Sequence, residues 1–195
     1  MNQKNLNESF WNNHYLERTT GWDLKQVSPP LKEFINQLTD KNLRILIPGC
    51  GNSYEAAYLL EKGFTDITII DIAPALVESL KNKFSNDSHI TIVLQDFFDH
   101  EGTYDLVLEQ TFFCAIDPSL RSQYVAKMSQ LLKKGGKLAG LLFNREFEDG
   151  PPFGGSEKEY IALFSPDFNI KIAETAYNSF EKRKGSELFI SMIRK

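Results

Sequence analysis

Short apolar runs and helix-length segments alternate along most of this chain, and that alternation strongly constrains its fold. Five runs have the length and composition of buried strands: residues 43–47, 67–70, 90–94, 104–108 and 137–143. Apolar residues at helical spacing mark four intervening segments: residues 31–38, 54–62, 76–84 and 120–132. Strands that alternate with helices predict a doubly wound, Rossmann-like α/β fold with a mostly parallel sheet.

The C-terminal part of the chain follows a different pattern. Residues 168–177 and 187–193 are typical of two strands joined without an intervening helix, which predicts an antiparallel hairpin at one edge of the sheet. A run of basic residues and glycines at 133–136 is expected to end the preceding helix. The length of 195 residues fits one domain.

Composition argues against several classes of function. The net charge is −4, which disfavours a nucleic-acid partner. Two cysteines, Cys50 and Cys114, are too few for a disulfide framework or a zinc site. No apolar stretch reaches the roughly 18 residues of a membrane helix, and residues 1–9 lack the apolar core of a signal peptide. We therefore expect a cytoplasmic protein without a metal, a membrane or a nucleic-acid partner.

A glycine turn follows the first predicted strand, with the sequence Pro-Gly-Cys-Gly at 48–51. Gly49 and Gly51 have no Cβ, so the backbone there can approach a ligand closely. Open α/β sheets bind their ligands at the carboxyl ends of the strands, where this turn lies. The turn alone is equally compatible with a loop that binds nothing.

Acidic residues end the next two predicted strands. Asp71 comes about 20 residues after the turn, the spacing of a carboxylate that accepts both hydroxyls of a ribose. It can instead cap the helix that begins near Pro74. Asp96 can accept from an adenine amino group while Phe97 packs on the ring, although an exposed turn aspartate is nearly as plausible. Together these strand ends predict a nucleoside site.

The kind of nucleotide follows from what the turn lacks. A dinucleotide fingerprint requires a third glycine at position 54, where this chain has Tyr54. The chain also lacks the Gly-Lys-Ser/Thr step that cradles a triphosphate. An adenosine without phosphates fits these residues best.

Several of these motifs resemble those of a known family. The Ile-Pro-Gly-Cys-Gly step at 47–51, Asp71 and the Gln-Asp-Phe step at 95–97 resemble the cofactor motifs of class I S-adenosylmethionine-dependent methyltransferases. Thr-Phe-Phe-Cys-Ala-Ile-Asp-Pro at 111–118 and Gly-Pro-Pro-Phe at 150–153 narrow the resemblance to the thiopurine S-methyltransferase superfamily, and within it to the halide/thiol methyltransferases. The resemblance runs from about Trp11 to the C-terminus and includes Arg-Lys-Gly at 183–185.

The resemblance implies an architecture and a cofactor. It implies a seven-stranded sheet ending in an antiparallel hairpin, with S-adenosylmethionine as donor and S-adenosylhomocysteine as product. It divides the single domain into an N-terminal aromatic lid segment, residues 1–30, and a Rossmann-like core, residues 31–195. Trp11, Tyr15 and Trp22 match the aromatic positions that cover the donor. The plant halide enzymes have tryptophan at all three positions, so Tyr15 departs from their pattern, as does Gln110, where a cofactor-contacting tyrosine is usual.

The lid residues suit a sulfonium donor chemically. Trp11 and Tyr15 are four apart, so a helix would place them on one face. With Trp22, they can stabilise a desolvated cation by roughly 0.5–2 kcal/mol each and exclude water. The alternative is that they are only the hydrophobic side of a lid helix.

Other candidate site residues carry weaker signals. Ile72 follows Asp71, and Glu109 ends the fourth strand, where it can meet the donor's amino group. Phe113 and Phe153 are either pocket walls or core residues, and Arg183 either attracts an anionic acceptor or is a solvated hairpin charge.

The shortage of candidate bases favours one type of acceptor. A hydroxyl or amine nucleophile requires a general base, and His14, His89 and His100 are not in a motif that suggests one. Bisulfide, thiocyanate, a halide or a thiol in its thiolate form arrives already ionised and needs no base. The rate of in-line displacement then depends mainly on the positioning and desolvation of the nucleophile. We therefore expect methyl transfer to a small soft nucleophile. The alternatives are O- or N-methylation of another small metabolite, or a non-catalytic domain that binds S-adenosylmethionine.

Overall fold

A seven-stranded sheet with the strand order β3-β2-β1-β4-β5-β7-β6 forms the centre of the computed structural model, which describes residues 5–195. Residues 1–4, the first part of the predicted lid segment, lie outside the described residues. The strands are β1 (Arg44–Pro48), β2 (Asp66–Asp71), β3 (Ile90–Leu94), β4 (Tyr104–Gln110), β5 (Leu132–Phe143), β6 (Phe168–Thr175) and β7 (Glu187–Arg194).

Strand directions confirm the predicted fold class. The neighbours β3-β2, β2-β1, β1-β4 and β4-β5 pair parallel, whereas β7 pairs antiparallel with both β5 and β6. A short 3₁₀ turn, Glu181–Arg183, lies between β6 and β7, so the predicted hairpin is present at the sheet edge.

The start of β5 differs from the prediction. Residues 133–136 do not separate helix from strand, because β5 begins at Leu132, directly after the preceding helix. Leu132 pairs with Tyr104, and the next pair joins Lys137 to Leu106, so the intervening residues form an irregularity in the ladder. Gly135 has φ +79°, a conformation that glycine adopts without steric cost.

Six α-helices are described. They are α1 (Glu8–Leu16), α2 (Pro29–Asn36), α3 (Tyr54–Glu61), α4 (Pro74–Lys83), α5 (Arg121–Leu131) and α6 (Glu157–Phe164). Across residues 5–195, none is long and apolar enough to cross a membrane. The helix α6 was not predicted, although Ser156 and Glu159 have the spacing of a capping box. In the structure the Glu159 N–H donates to Ser156 Oγ at 3.3 Å.

Both faces of the sheet are buried, as a parallel sheet requires. Ile45 and Ile47 of β1 belong to the core under α2, α3 and α4, whereas Leu46 between them belongs to the core under α5 and α6. The strands are continuous apolar runs in the sequence because alternate residues of each strand point to opposite faces of the sheet, and both faces are buried.

The first helix is held to the core by a polar contact. None of the α1 side chains is fully buried. Its Asn12 Oδ1 accepts a hydrogen bond of 2.8 Å from the Ala75 N–H in the first turn of α4. Residue Ala73 at the N-cap of α4 has no side-chain acceptor, so α1 supplies the cap that α4 lacks.

We predict that Gly140→Ala destabilises the fold. A Cβ at Gly140 in β5 would overlap the Cβ and the carbonyl oxygen of Glu109 on the neighbouring strand. Because backbone atoms of a central strand cannot move aside cheaply, we expect the free energy of unfolding to fall by about 1–3 kcal/mol. Urea denaturation measures this loss.

Gly21→Ala is the matched control, since a Cβ at Gly21 has nothing within 4 Å. An equal, small change in both variants would show that the β4–β5 contact is not tight.

Candidate functional site

A cavity of about 1220 Å³ opens at the carboxyl ends of the parallel strands. It lies at the topological switch point of the sheet, where β1 and β4 are neighbours and their following loops diverge. Its lining comes from the glycine turn, the ends of β2, β3 and β4, the lid segment and loops that follow β5 and β6.

The glycine turn forms the floor of the cavity. Gly49 and Gly51 have φ +54° and +50°. A Cβ at Gly49 would overlap the Phe112 ring, so this glycine lets the loop after β4 close on the turn. A Cβ at Gly51 would meet only the Tyr15 hydroxyl, 3.6 Å away. The Gly51 backbone is therefore open to a ligand.

Asp71 lies beside this turn with its carboxylate fixed. It is 8% exposed; its Oδ2 accepts from the Gly51 N–H at 3.2 Å and its Oδ1 from the Ala73 N–H at 3.0 Å. Burial raises the pKa of Asp71 to about 6, against the opposing effect of these backbone N–H groups. The Ile72 N–H also bonds this carboxylate, and both Asp71 and the adjacent Ile72 line the cavity.

The end of β3 contributes one polar and two aromatic side chains. Asp96 is exposed, and its Oδ1 accepts from the Phe98 N–H at 2.9 Å, which starts a 3₁₀ turn. Phe97 is 3% exposed and packs edge-to-face on Phe112, with ring centroids 5.3 Å apart. All four residues line the cavity, so the predicted convergence of Asp71, Asp96 and Phe97 is present in the geometry.

Aromatic rings of the lid segment meet around Trp22. Its ring centroid lies 5.6 Å from that of Trp11, 6.1 Å from Tyr15 and 5.2 Å from His14, each edge-to-face. All four rings line the cavity. Burial, with a further contribution from Asp71, raises the pKa of Tyr15 far above its ordinary value, so this hydroxyl keeps its proton.

The structure does not bring three of the predicted side chains to the cavity. Glu109 is fully buried and accepts from the Phe113 N–H at 3.1 Å and from the Tyr124 hydroxyl. Burial raises the pKa of Glu109 to about 7. Phe113 is 0% exposed in the core, and Phe153 packs against Gly150.

Neighbouring residues take these places, which corrects the assignments. Gln110, itself a predicted cofactor-contacting residue, lines the cavity next to Glu109, and Phe112 lines it next to Phe113. Pro151 and Pro152 line the cavity where Phe153 was expected. Successive residues of a strand point to opposite faces, so Gln110, beside the buried Glu109 at the end of β4, reaches the opening.

Arg183 lines the cavity but is not a solvated hairpin charge. It is 8% exposed. Its Nη1 donates to Glu187 Oε1 at 3.1 Å and its Nη2 to the Trp22 carbonyl oxygen at 2.7 Å. The guanidinium is thus engaged by the protein itself.

Sequence reasoning missed several lining residues: His14, Asp23, Asn52, Phe112, Arg145 and Lys182. Asp23 Oδ2 accepts from Asn52 Nδ2 at 2.8 Å and joins the lid to the glycine turn. For Arg145 and Lys182 no local signal exists, because only the sheet topology brings the loops after β5 and β6 to this opening.

These residues fit an adenosine-based methyl donor. The open backbone at Gly51 leaves space for a ligand, and the buried carboxylate of Asp71 offers hydrogen-bond acceptors. The aromatic rings beside them form a cover that suits a cation. In the part of the chain that the structure describes, no group of three or more His, Cys, Asp or Glu side chains is arranged to hold a metal ion.

Comparison with known proteins identifies the family. The model of the thiopurine S-methyltransferase family matches residues 6–194. The chain belongs to this family. It is an S-adenosylmethionine-dependent methyltransferase, and the predicted family, donor and fold are confirmed.

Relatives of known name differ in their acceptors. The chain is 32% identical to a probable thiol methyltransferase 2 of Arabidopsis thaliana over 80% of this chain and 71% of that protein. It is 25% identical to thiocyanate methyltransferase 1 of the same plant over 94% and 84% of the two chains. It is 24% identical to a thiopurine S-methyltransferase of Acinetobacter baylyi over 93% and 94%.

Solved structures agree on the fold. The 1,6-didemethyltoxoflavin-N1-methyltransferase of Burkholderia thailandensis, solved with S-adenosylhomocysteine, superposes with a TM-score of 0.77 at 18% identity, covering 96% of this chain and 87% of that one. Magnesium protoporphyrin IX methyltransferase of Synechocystis, solved with its methyl donor, has a TM-score of 0.74 at 14% identity and covers both chains completely.

We predict that Asp71→Asn weakens donor binding by about tenfold to a hundredfold, the range expected for a lost charge-assisted hydrogen bond. Isothermal titration calorimetry with S-adenosylhomocysteine measures the affinity. Because burial raises the pKa of Asp71 to about 6, the carboxyl gains a proton as the pH falls through that value. Affinity of the unmodified protein should then decline below about pH 6, and the variant should lack this decline.

Asp66→Asn is the control at the other end of β2. Asp66 pairs with Arg44 at 3.3 Å with both side chains about half exposed, so its loss should leave donor affinity unchanged. Equal affinities in the two variants would contradict the ribose assignment of Asp71.

Proposed function

We propose that this protein transfers a methyl group from S-adenosylmethionine to a small soft nucleophile, namely a thiol, bisulfide, thiocyanate or a halide, by in-line displacement. The names of its thiol and thiocyanate relatives support this choice. The observation that carries it is a cluster of aromatic rings and cations in the cavity lining, in which Phe143 packs on Phe147, Arg145 lies over the Phe147 ring and Arg183 over the Phe143 ring.

In this proposal the part of the cavity beside the glycine turn holds the nucleoside. The Asp71 carboxylate accepts from the ribose hydroxyls, the Gly51 backbone approaches the ligand closely, and Asp96 accepts from the adenine amino group; the position of all three in the cavity lining supports these roles. When bound, S-adenosylmethionine supplies a methyl group on a positively charged sulfur. Trp11, Tyr15 and Trp22 then cover that charge with their rings and exclude water from it.

The acceptor half combines apolar walls with positive charge. Phe143 and Phe147 line the cavity with their ring centroids 5.1 Å apart, and the Arg145 guanidinium lies 4.7 Å from the Phe147 centroid. Arg145 and Lys182 are exposed lining residues and, unlike Arg183, have no carboxylate partner among the described salt bridges. Cations at an opening attract anions, and an apolar wall strips water from a soft nucleophile and so raises its reactivity.

We expect turnover with iodide, bisulfide, thiocyanate or a small thiol, detected as volatile methylated product by headspace gas chromatography. If the acceptor reacts as thiolate, the rising limb of the pH profile of kcat/KM should follow the pKa of each thiol across a series, because no group of the protein removes the proton. With iodide, which has no proton to lose, the pH profile should have no rising limb.

A rising limb at one fixed pH for all thiols would instead indicate a base in the protein. Turnover only with hydroxyl or amine acceptors would overturn the proposal and support O- or N-methylation.

Lys182→Glu tests the attraction of an anionic acceptor. We predict that KM for iodide rises by about threefold to tenfold while kcat changes less, because the charge acts on the approach of the anion. The effect should shrink as salt is added. Steady-state kinetics at two ionic strengths measure it.

Lys184→Glu is the matched control, since Lys184 is exposed in the same connection and does not line the cavity. An identical rise in KM for both variants would assign the effect to overall charge and not to the cavity opening.

A further inference from the structure

Three buried charged side chains meet where the lid segment joins the core. Glu55 in the first turn of α3, Arg183 between β6 and β7, and Glu187 at the start of β7 are 6%, 8% and 0% exposed. Buried charges destabilise a protein unless they are paired or hydrogen-bonded. We call these three side chains the charge cluster. Their hydrogen-bond partners therefore indicate what the cluster does in the fold.

The charge cluster holds the backbone of one short segment, residues 22–28, which we call the strap. Arg183 Nη2 donates to the Trp22 carbonyl oxygen at 2.7 Å, and Glu55 Oε1 accepts from the Ser28 N–H at 2.9 Å. Arg183 Nη1 is held in turn by Glu187 Oε1 at 3.1 Å. The cation thus binds a carbonyl at one end of the strap, and a carboxylate binds an amide at the other.

Trp22 connects the strap to the aromatic lid. Its carbonyl is the group that Arg183 holds, while its ring packs on Trp11, Tyr15 and His14. Since the Tyr15 hydroxyl lies over Gly51, a shift of Trp22 moves rings that stand directly above the glycine turn. The position of the lid depends on a contact 161 residues away in sequence.

We propose that Arg183 is a positioning residue that fastens the aromatic lid over the donor site. This rests on the proposed role of the lid as the cover of the donor. Arg183 acts through the Trp22 carbonyl and not by binding the acceptor. Its planar fork suits this task, because two different nitrogens reach Glu187 and Trp22 at once.

A lysine at this position has one nitrogen in place of two, so it cannot reproduce the forked geometry in which Nη1 meets Glu187 and Nη2 meets the Trp22 carbonyl. Removal of the cation alone would leave Glu187 buried without its partner, and its Oε2 already has no hydrogen bond. The double variant Arg183→Met/Glu187→Met removes both charges together and keeps apolar volume, so it should fold. Arg183→Lys and this double variant are therefore tested side by side.

Tryptophan fluorescence reads the lid directly, because the two tryptophans of the chain, Trp11 and Trp22, both belong to it. Quenching of their emission by acrylamide is measured without donor. We expect the quenching constant to rise by about twofold in Arg183→Lys and in the double variant, as local opening exposes the rings. Affinity for S-adenosylhomocysteine should fall by about tenfold, the loss expected of a charge-assisted hydrogen bond.

Arg121→Lys is a matched control. Arg121 is also a buried arginine, 7% exposed, that bridges a carboxylate and a carbonyl: Glu159 Oε1 at 2.8 Å and the Gly154 oxygen at 2.7 Å. It has no contact with the strap among the described hydrogen bonds. Thermal unfolding of all variants confirms that they remain folded when the emission is read.

The outcomes separate the proposals. Unchanged quenching in both Arg183 variants would overturn the positioning role, and so would an equal rise in Arg121→Lys, which would indicate general loosening. A rise confined to the Arg183 variants supports the role. If that rise came with unchanged affinity for S-adenosylhomocysteine, Arg183 would still fasten the lid, but the proposed function of the lid as donor cover would fail.

Discussion

The close packing of the glycine turn on Phe112 is the constraint on which the site depends. At the switch point the loops that follow β1 and β4 leave in different directions, and the missing Cβ of Gly49 lets them touch. Phe112 also packs on Phe97 at the end of β3. Three strand ends are thereby joined in one rigid floor, and the position of Asp71 beside Gly51 is fixed independently of the lid.

The lid is attached by polar contacts in addition to the packing of Trp11 and Tyr15 against the core. Because α1 has no fully buried side chain, hydrophobic burial alone does not determine its place. Asn12 bonds to the first turn of α4, Asp23 to Asn52 of the glycine turn, and the Trp22 carbonyl to Arg183. Such contacts contribute about 0.5–3 kcal/mol each, so in the proposed function the lid opens for ligand exchange while the core stays folded.

The fold was predictable because its signals are local. Apolar runs and intervening helices are encoded within a few residues of one another, and buried strands of a parallel sheet need apolar residues on both faces, as Ile45, Leu46 and Ile47 show. The α6 helix had its own signal in Ser156 and Glu159, which was overlooked beside the glycines and prolines that precede it.

The cavity lining was predictable in part. Gly51, Asp71 and Gln110 line the cavity, whereas Glu109 and Phe113 are buried beside it. The left-handed backbone of Thr111, φ +60°, turns the chain between them, and no residue pattern specifies which neighbour then faces the opening. The bond between Trp22 and Arg183 was equally inaccessible, since only the complete sheet brings the last hairpin to the lid.

Charges of both signs line the cavity, including Asp71, Asp96, Arg145 and Lys182. In the proposed reaction the two carboxylates bind the positively charged donor, and the two cations attract an anionic acceptor. Arg183 also lines this cavity, but Glu187 compensates its charge through Nη1 and the Trp22 carbonyl of the strap accepts from Nη2. Since a free buried cation there would repel the donor's sulfonium, pairing with Glu187 allows an arginine to fasten the lid without opposing donor binding.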